Sequence, residues 1–267
     1  MPTPPTYLDR ILAAHRGAAA ADARPVEELR AAALAGPPVR GFAAALRAAQ
    51  PGVAVIAEIK RRSPSKGDLD PSLDPAAVAA DYERGGAACV SVLTDATFFG
   101  GSAADLGAAR GACALPVLRK DFTVAPADVY DARAMGADAV LLIVAALSGD
   151  ELASLHGLVT SLGMDALVEV HDEAELERAL AVGATLVGVN QRDLVTFAVD
   201  TERALRLGGR FPPHVTPVAE SGIDGPASAA RLAAAGYRAV LVGETLMRSA
   251  DRAGAVAGLR AASVVGA

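Results

Sequence analysis

The chain contains no tryptophan, and aromatic residues together make up only 4% of its 267 residues. The apolar half of the composition, 52%, must therefore come from alanine, leucine and valine, much of it in alanine-rich helices. Cysteine is nearly as scarce. Cys89 and Cys113 are too few for a disulfide framework or a cysteine metal cluster. Both lie in or beside apolar segments, where buried free thiols are expected. Basic residues are not in excess: the net charge is −6 and the isoelectric point near 5.3. That argues against a general nucleic-acid binder and leaves room for a small anion held by local cations. No apolar run could span a bilayer without Asp, Arg, Gly or Pro intervening, and the first residues lack the apolar stretch of a signal peptide. A soluble, cytoplasmic protein without membrane or nucleic-acid partners is expected.

What is present is a regular beat. Short β-rich runs recur at 53–60, 89–94, 116–120, 139–144, 166–170, 186–190, 216–221 and 239–243. Between them lie stretches with helical spacing, among them 75–85, 125–136, 172–183 and 225–236. Gly86, Gly136, Gly183 and Gly236 each stand where a helix should close before the next strand. Eight strands alternating with helices over about 200 residues is the period of a (β/α)8 barrel. An open doubly wound sheet is the alternative, but no Gly-x-Gly-x-x-Gly turn follows the first run. Residues 5–50 read as helices broken by Pro25 and Gly36-Pro37-Pro38, with Tyr7, Leu8, Ile11 and Leu12 at helical spacing. The expected architecture is α/β: a single-domain (β/α)8 TIM barrel over 51–267, with a helical N-terminal extension over 1–50 packing on it. No low-complexity linker divides the chain.

Active sites of such barrels lie at the carboxyl ends of the strands. Strand one ends with Glu58 and Lys60, which share a face. The third ends Arg119-Lys120-Asp121-Phe122, the fifth Glu169-Val170-His171 and the sixth Asn190-Gln191-Arg192. The seventh ends Glu220-Ser221-Gly222 and the eighth Gly243-Glu244. Each has a bland explanation alone: a solvated lysine, a structural Glu58–Lys60 ion pair, and for His171 an ordinary loop residue. Jointly they bring ionisable and amide groups to one rim, where a half-buried carboxylate such as Glu169 is costly without partners. Phe98, Phe99 and Phe122 follow strand ends, either as an apolar wall for a flat ligand or as plugs beneath loops. The 63–67 loop, Ser221-Gly222 and Gly243-Glu244 suggest a phosphate site, because glycine admits a close backbone approach and barrels often bind phosphate after strands seven and eight.

These residues resemble the indole-3-glycerol phosphate synthase family of tryptophan biosynthesis. The resemblance runs along the whole chain. It rests on Glu58-Ile59-Lys60-Arg61-Arg62-Ser63, Phe98-Phe99-Gly100-Gly101-Ser102, Leu118-Arg119-Lys120-Asp121-Phe122 and Leu167-Val168-Glu169-Val170-His171. Gly188-Val189-Asn190-Gln191-Arg192, Ala219-Glu220-Ser221-Gly222 and Leu241-Val242-Gly243-Glu244 complete it. It implies ring closure, decarboxylation and dehydration of 1-(2-carboxyphenylamino)-1-deoxyribulose 5-phosphate, an anthranilate-phosphosugar, without cofactor or metal. The catalytic set it implies is Lys120 as general acid, Glu169 in the later proton transfers, Lys60 on the anthranilate carboxylate, and Glu58, Asn190 and Ser221 in support. Ser63, Gly222 and Gly243, with Glu244 beside them, match the phosphate side. Phe99 and Phe122 match the aromatic side, while Glu220 and Arg192 match positions that bind substrate or order the charges. Gln191 stands where the family often carries a second Asn. A monomer or weak homo-oligomer is expected. Another phosphosugar barrel, Schiff-base chemistry on a lysine of lowered pKa, and a barrel that binds without turnover stay open as alternatives.

Overall fold

Runs of valine, isoleucine, leucine and alanine too short for helices become eight strands in the computed structural model, which describes residues 5–49, 52–63 and 67–261. The strands are β1 (Ala54–Ile59), β2 (Cys89–Leu93), β3 (Val117–Lys120), β4 (Ala139–Ile143), β5 (Asp165–Val170), β6 (Leu186–Asn190), β7 (Thr216–Glu220) and β8 (Ala239–Val242). Each pairs in parallel with its neighbours in sequence, and β1 pairs with β8, so the sheet closes into a (β/α)8 barrel. Every strand boundary lies within one residue of the run expected for it. The strands are buried on both faces, as parallel strands covered by helices must be. That is why they read as continuous apolar runs.

The helices between strands begin and end as local chemistry requires. Pro75, Pro126 and Pro226 open their helices where no N–H is needed. Asp172 caps Glu173–Ala181 by accepting from the Glu175 N–H at 2.8 Å. The four glycines before strands have φ between 81° and 96°, a region costly for any residue with a Cβ.

Three helices precede the barrel: α1 (Tyr7–Ala21), α2 (Val26–Ala35) and α3 (Phe42–Ala48). The first lies at the carboxyl rim. His15 Nε2 donates to Asp95 Oδ2 at 2.9 Å, and Arg16 pairs with Glu151 at 2.7 Å. The third plugs the opposite end, where Phe42 and Leu46 are fully buried and the Ala43 N–H donates to Asp165 Oδ2 at 2.8 Å. Asp138 secures that end: it accepts from the Arg40 and Val117 N–H groups at 2.7 Å each and from Arg110 Nη1 at 2.5 Å. Among the described residues no helix is long and apolar enough to cross a membrane. Cys89 and Cys113 are buried and free.

Candidate active site

A cavity of about 740 Å³ opens at the carboxyl ends of the strands. Every candidate site residue lines it: Glu58, Lys60 and Ser63 from β1 and its loop, Phe99 after β2, Lys120 and Phe122 from β3, and Glu169 from β5. Asn190 and Arg192 follow from β6, Glu220, Ser221 and Gly222 from β7, and Gly243 and Glu244 after β8. Of the 63–67 loop, residues 64–66 lie outside the described residues.

Two charged groupings meet in the cavity. On β1, Lys60 Nζ donates to Glu58 Oε1 at 2.5 Å. Burial, the largest influence on Glu58, favours its neutral form, but Lys60, Lys120 and Arg192 outweigh it and hold the carboxyl below the usual range. Across the barrel, Lys120 Nζ lies 3.8 Å from Glu169 Oε2 and 3.9 Å from Glu220 Oε2. Burial again opposes charge on this lysine, yet Glu169, Glu220 and Glu58 together raise its pKa. Glu220 moves the other way from Glu58. Burial and the repulsion of Glu169 and Glu58 exceed the pull of Lys120 and push its carboxyl well above the usual range. Arg192 is held by its backbone and side chain: its N–H donates to Asn190 Oδ1 at 3.0 Å and Nη1 to the Phe197 carbonyl at 3.1 Å.

Absent side chains make room for these groups. A Cβ on Gly188 would overlap the Glu220 carboxylate, and one on Gly243 would overlap that of Glu58 and approach Lys60 Nζ within 3.1 Å. Ser221 takes a left-handed φ of 64°, which costs about 1–2 kcal/mol in a residue with a Cβ. The Gln191 side chain donates to its carbonyl at 2.7 Å and helps hold it there. The phenyl rings of Phe99 and Phe122 lie 6.4 Å apart, tilted by 36°. Phe98 does not join them: it packs edge-on against Tyr7, with centroids 5.6 Å apart, because the short helix Ala96–Phe99 turns adjacent residues to different sides.

Several residues were not singled out by sequence. Arg248 lines the cavity and pairs with Glu244 at 3.2 Å; its i,i+4 spacing from Glu244 was the available signal. Leu194 and Phe197, on the loop after β6, carry no periodic mark. Gly188 was legible only as a glycine inside a strand, a sign of close approach. No catalytic grouping was expected before residue 50, yet His15 binds Asp95, a cavity residue, and lies 3.8 Å from Asp121. These three could surround a cation, but the carboxylates are already engaged. Asp95 accepts from the Phe98 and Phe99 N–H groups, and Asp121 from Thr94, Arg119 and the Phe122 N–H.

A closed (β/α)8 barrel with lysines, arginine and carboxylates gathered at its carboxyl rim defines a barrel enzyme of acid–base type. The model of the family described as indole-3-glycerol phosphate synthase matches residues 8–259, and the chain belongs to that family. Among curated relatives so named, one from Mycobacterium ulcerans (strain Agy99) is 50% identical over 96% of this chain and 94% of its own length. One from Aromatoleum aromaticum (strain DSM 19018 / LMG 30748 / EbN1) is 53% identical, covering 91% and 95%. The indole-3-glycerol phosphate synthase 2 of Streptomyces coelicolor (strain ATCC BAA-471 / A3(2) / M145) is 54% identical, covering 85% and 87%. The solved thiamine phosphate pyrophosphorylase from Pyrococcus furiosus superposes with a TM-score of 0.59 at 16% identity, over 80% of this chain and 97% of that one. That likeness speaks for the barrel alone.

Proposed function

We propose that this chain forms indole-3-glycerol phosphate from 1-(2-carboxyphenylamino)-1-deoxyribulose 5-phosphate, with release of CO₂ and water. The observation that carries the proposal is the half-buried Lys120, set between Glu169 and Glu220, whose pKa is raised rather than lowered. A Schiff-base lysine needs the opposite shift. A lysine kept protonated suits a general acid facing an oxygen that becomes an alkoxide.

The chemistry then runs in three parts. The ring carbon bearing the carboxylate attacks the substrate ketone, a C–C bond forms, and Lys120 Nζ gives its proton to the developing alkoxide. The C–CO₂ bond breaks next and its electron pair restores the aromatic ring. The new hydroxyl leaves as water, pushed by the ring nitrogen, and the adjacent carbon loses a proton to complete the indole. Glu169 and Lys60 supply the acid and base of this last part, and Lys60 also receives the substrate carboxylate. Glu58 anchors Lys60, while Asn190 orders Arg192 and Ser221 contacts the substrate.

Local cations support an anionic ligand even though carboxylates outnumber them in the lining: Lys60, Lys120, Arg192 and Arg248 all face the cavity. Ser63, Gly222, Gly243 and Glu244 form the phosphate side, and Phe99 with Phe122 the wall for the aromatic ring. The enzyme so proposed is cytoplasmic, a monomer or weak homo-oligomer, needs no cofactor, and has no nucleic-acid or membrane partner. Mass spectrometry of protein mixed with the carboxyphenylamino substrate tests it: loss of both CO₂ and water is expected, and unchanged substrate or loss of CO₂ alone would refute it.

A further inference from the structure

His171 follows β5 by one residue and stands outside the cavity lining, with a side chain only 13% exposed. Its backbone N–H donates to Glu175 Oε2 at 2.8 Å, and its Nδ1 lies 3.0 Å from the same oxygen. A carboxylate oxygen accepts, so Nδ1 carries a proton and the first turn of helix Glu173–Ala181 fixes the ring. The other nitrogen, Nε2, is buried without a hydrogen-bond partner among the described residues and faces Glu169 Oε1 at 3.7 Å. Both oxygens of Glu169 are likewise buried and lack hydrogen bonds among the described residues.

Buried polar atoms in this state are costly, because they have given up water without gaining a partner. Closing the gap by about 1 Å would bring Nε2 and Oε1 to an ordinary hydrogen-bond length and satisfy one atom on each residue. The bond needs a proton between them. With Nδ1–H committed to Glu175, a neutral ring offers Glu169 only a lone pair, which an ionised carboxylate cannot use. The imidazolium, by contrast, donates at both nitrogens.

We propose that Glu175, His171 and Glu169 form a relay in which Nε2–H of the His171 imidazolium donates to Glu169 Oε1 and leaves Oε2 directed at Lys120. His171 is then a positioning residue, acting through Glu169 without touching substrate. The relay deepens the acid–base role given to Glu169 above and rests on it. The charged surroundings favour the imidazolium. Burial, the largest influence, opposes charge on the ring, as does Arg203 from helix Arg203–Leu207, but Glu175 and Glu169 outweigh both and raise its pKa. These are the charged groups that face the ring from β5 and from the two helices beside it.

An NMR titration of the imidazole nitrogens tests the contact independently of turnover. Four histidines are present, and the His171→Gln spectrum identifies the signal. Removing the Glu169 charge in Glu169→Gln is expected to lower the pKa of His171 by about 1 or more. An unchanged titration overturns the relay, even if the enzyme turns over normally. Absent turnover by wild type would refute the function while leaving this titration interpretable. The kinetic test compares His171→Phe, which keeps a ring but no donor, with His171→Gln, which keeps a donor that does not titrate. His171→Phe should lower kcat about 10- to 100-fold with little change in KM. His171→Gln should recover most of kcat and lose the alkaline decline that imidazolium deprotonation imposes on wild type. Equal kcat and equal pH profiles in all three proteins overturn the proposal, and a His171→Phe chain that does not fold leaves the Glu169→Gln titration to decide.

Discussion

Replacing Gly188 by alanine puts one methyl group where the Glu220 carboxylate lies. The new Cβ would overlap Oε1, stand 3.1 Å from Cδ of Glu220 and 3.3 Å from Cδ1 of the fully buried Leu167. Gly188 is not among the positive-φ positions, so the backbone accepts alanine and the effect is one of space. The carboxylate can yield only toward the cavity, which shifts Oε2 from its place 3.9 Å from Lys120 Nζ. Overpacking a core costs about 1–3 kcal/mol, and open space on one side of Glu220 puts this case near the low end. Alanine also restricts the unfolded chain, which stabilises by about 0.4–1 kcal/mol. The net loss is therefore small, about 0–2 kcal/mol from these opposing terms, or a few degrees in Tm at about 2–4 °C per kcal/mol. Catalysis should suffer more, because a misplacement of about 1 Å can cost about 100-fold in rate. Calorimetry beside steady-state kinetics should show a slightly altered Tm with kcat down about 10- to 100-fold. A Gly188→Ala enzyme with wild-type kcat would refute the packing of Glu220 against this glycine and its part in ordering Lys120.

Three other outcomes are expected. Lys120→Met should lower kcat by about 10²- to 10⁴-fold, the range for a lost general acid, while calorimetric binding of a product analogue survives; near-normal kcat would remove Lys120 from its role. Asp138→Ala leaves the buried Arg110 without its partner and two N–H groups without acceptors, and should cost about 3–5 kcal/mol in urea unfolding; a loss below about 1 kcal/mol would mean the pair acts like a surface bridge. The His15–Asp95 tie should be pH-dependent. Burial works against charge on both, but their mutual contact raises His15 above its ordinary 6.5 and lowers Asp95 below its ordinary 3.8. The contribution of His15 is full below pH 6.5 and fades as pH rises through its raised folded value, while that of Asp95 is full above 3.8 and fades as pH falls through its lowered one. His15→Gln should therefore lower Tm most at about pH 4–6.5 and least at about pH 9, and an equal deficit at both would contradict the tie.

The barrel was legible because the strands are mostly apolar and most of them carry polar residues at or just past their carboxyl ends, and because three helices start at proline and four glycines stand just before strands. Glu58 and Lys60 were legible as a pair because alternation along a strand puts them on one face, even though Lys60 lies just past the end of β1. What sequence could not show is contact between strands. Lys120, Glu169 and Glu220 come from β3, β5 and β7, and only the closure and register of the sheet bring them within 4 Å. Phe98 and Phe99 are neighbours in sequence with different surroundings, decided by a four-residue helix. His171 had no mark beyond its place after a strand. Its partners became visible once helix Glu173–Ala181 brought Glu175 back against the end of β5.

Absence of tryptophan makes the most direct test simple, since an indole product would emit over a protein that contributes no indole of its own. Purified protein mixed with 1-(2-carboxyphenylamino)-1-deoxyribulose 5-phosphate, without added metal or cofactor, should show indole fluorescence growing in proportion to protein concentration. The same mixture made with Lys120→Met should stay nearly dark. A folded wild-type chain that binds this substrate yet yields no indole emission would contradict the activity proposed for it.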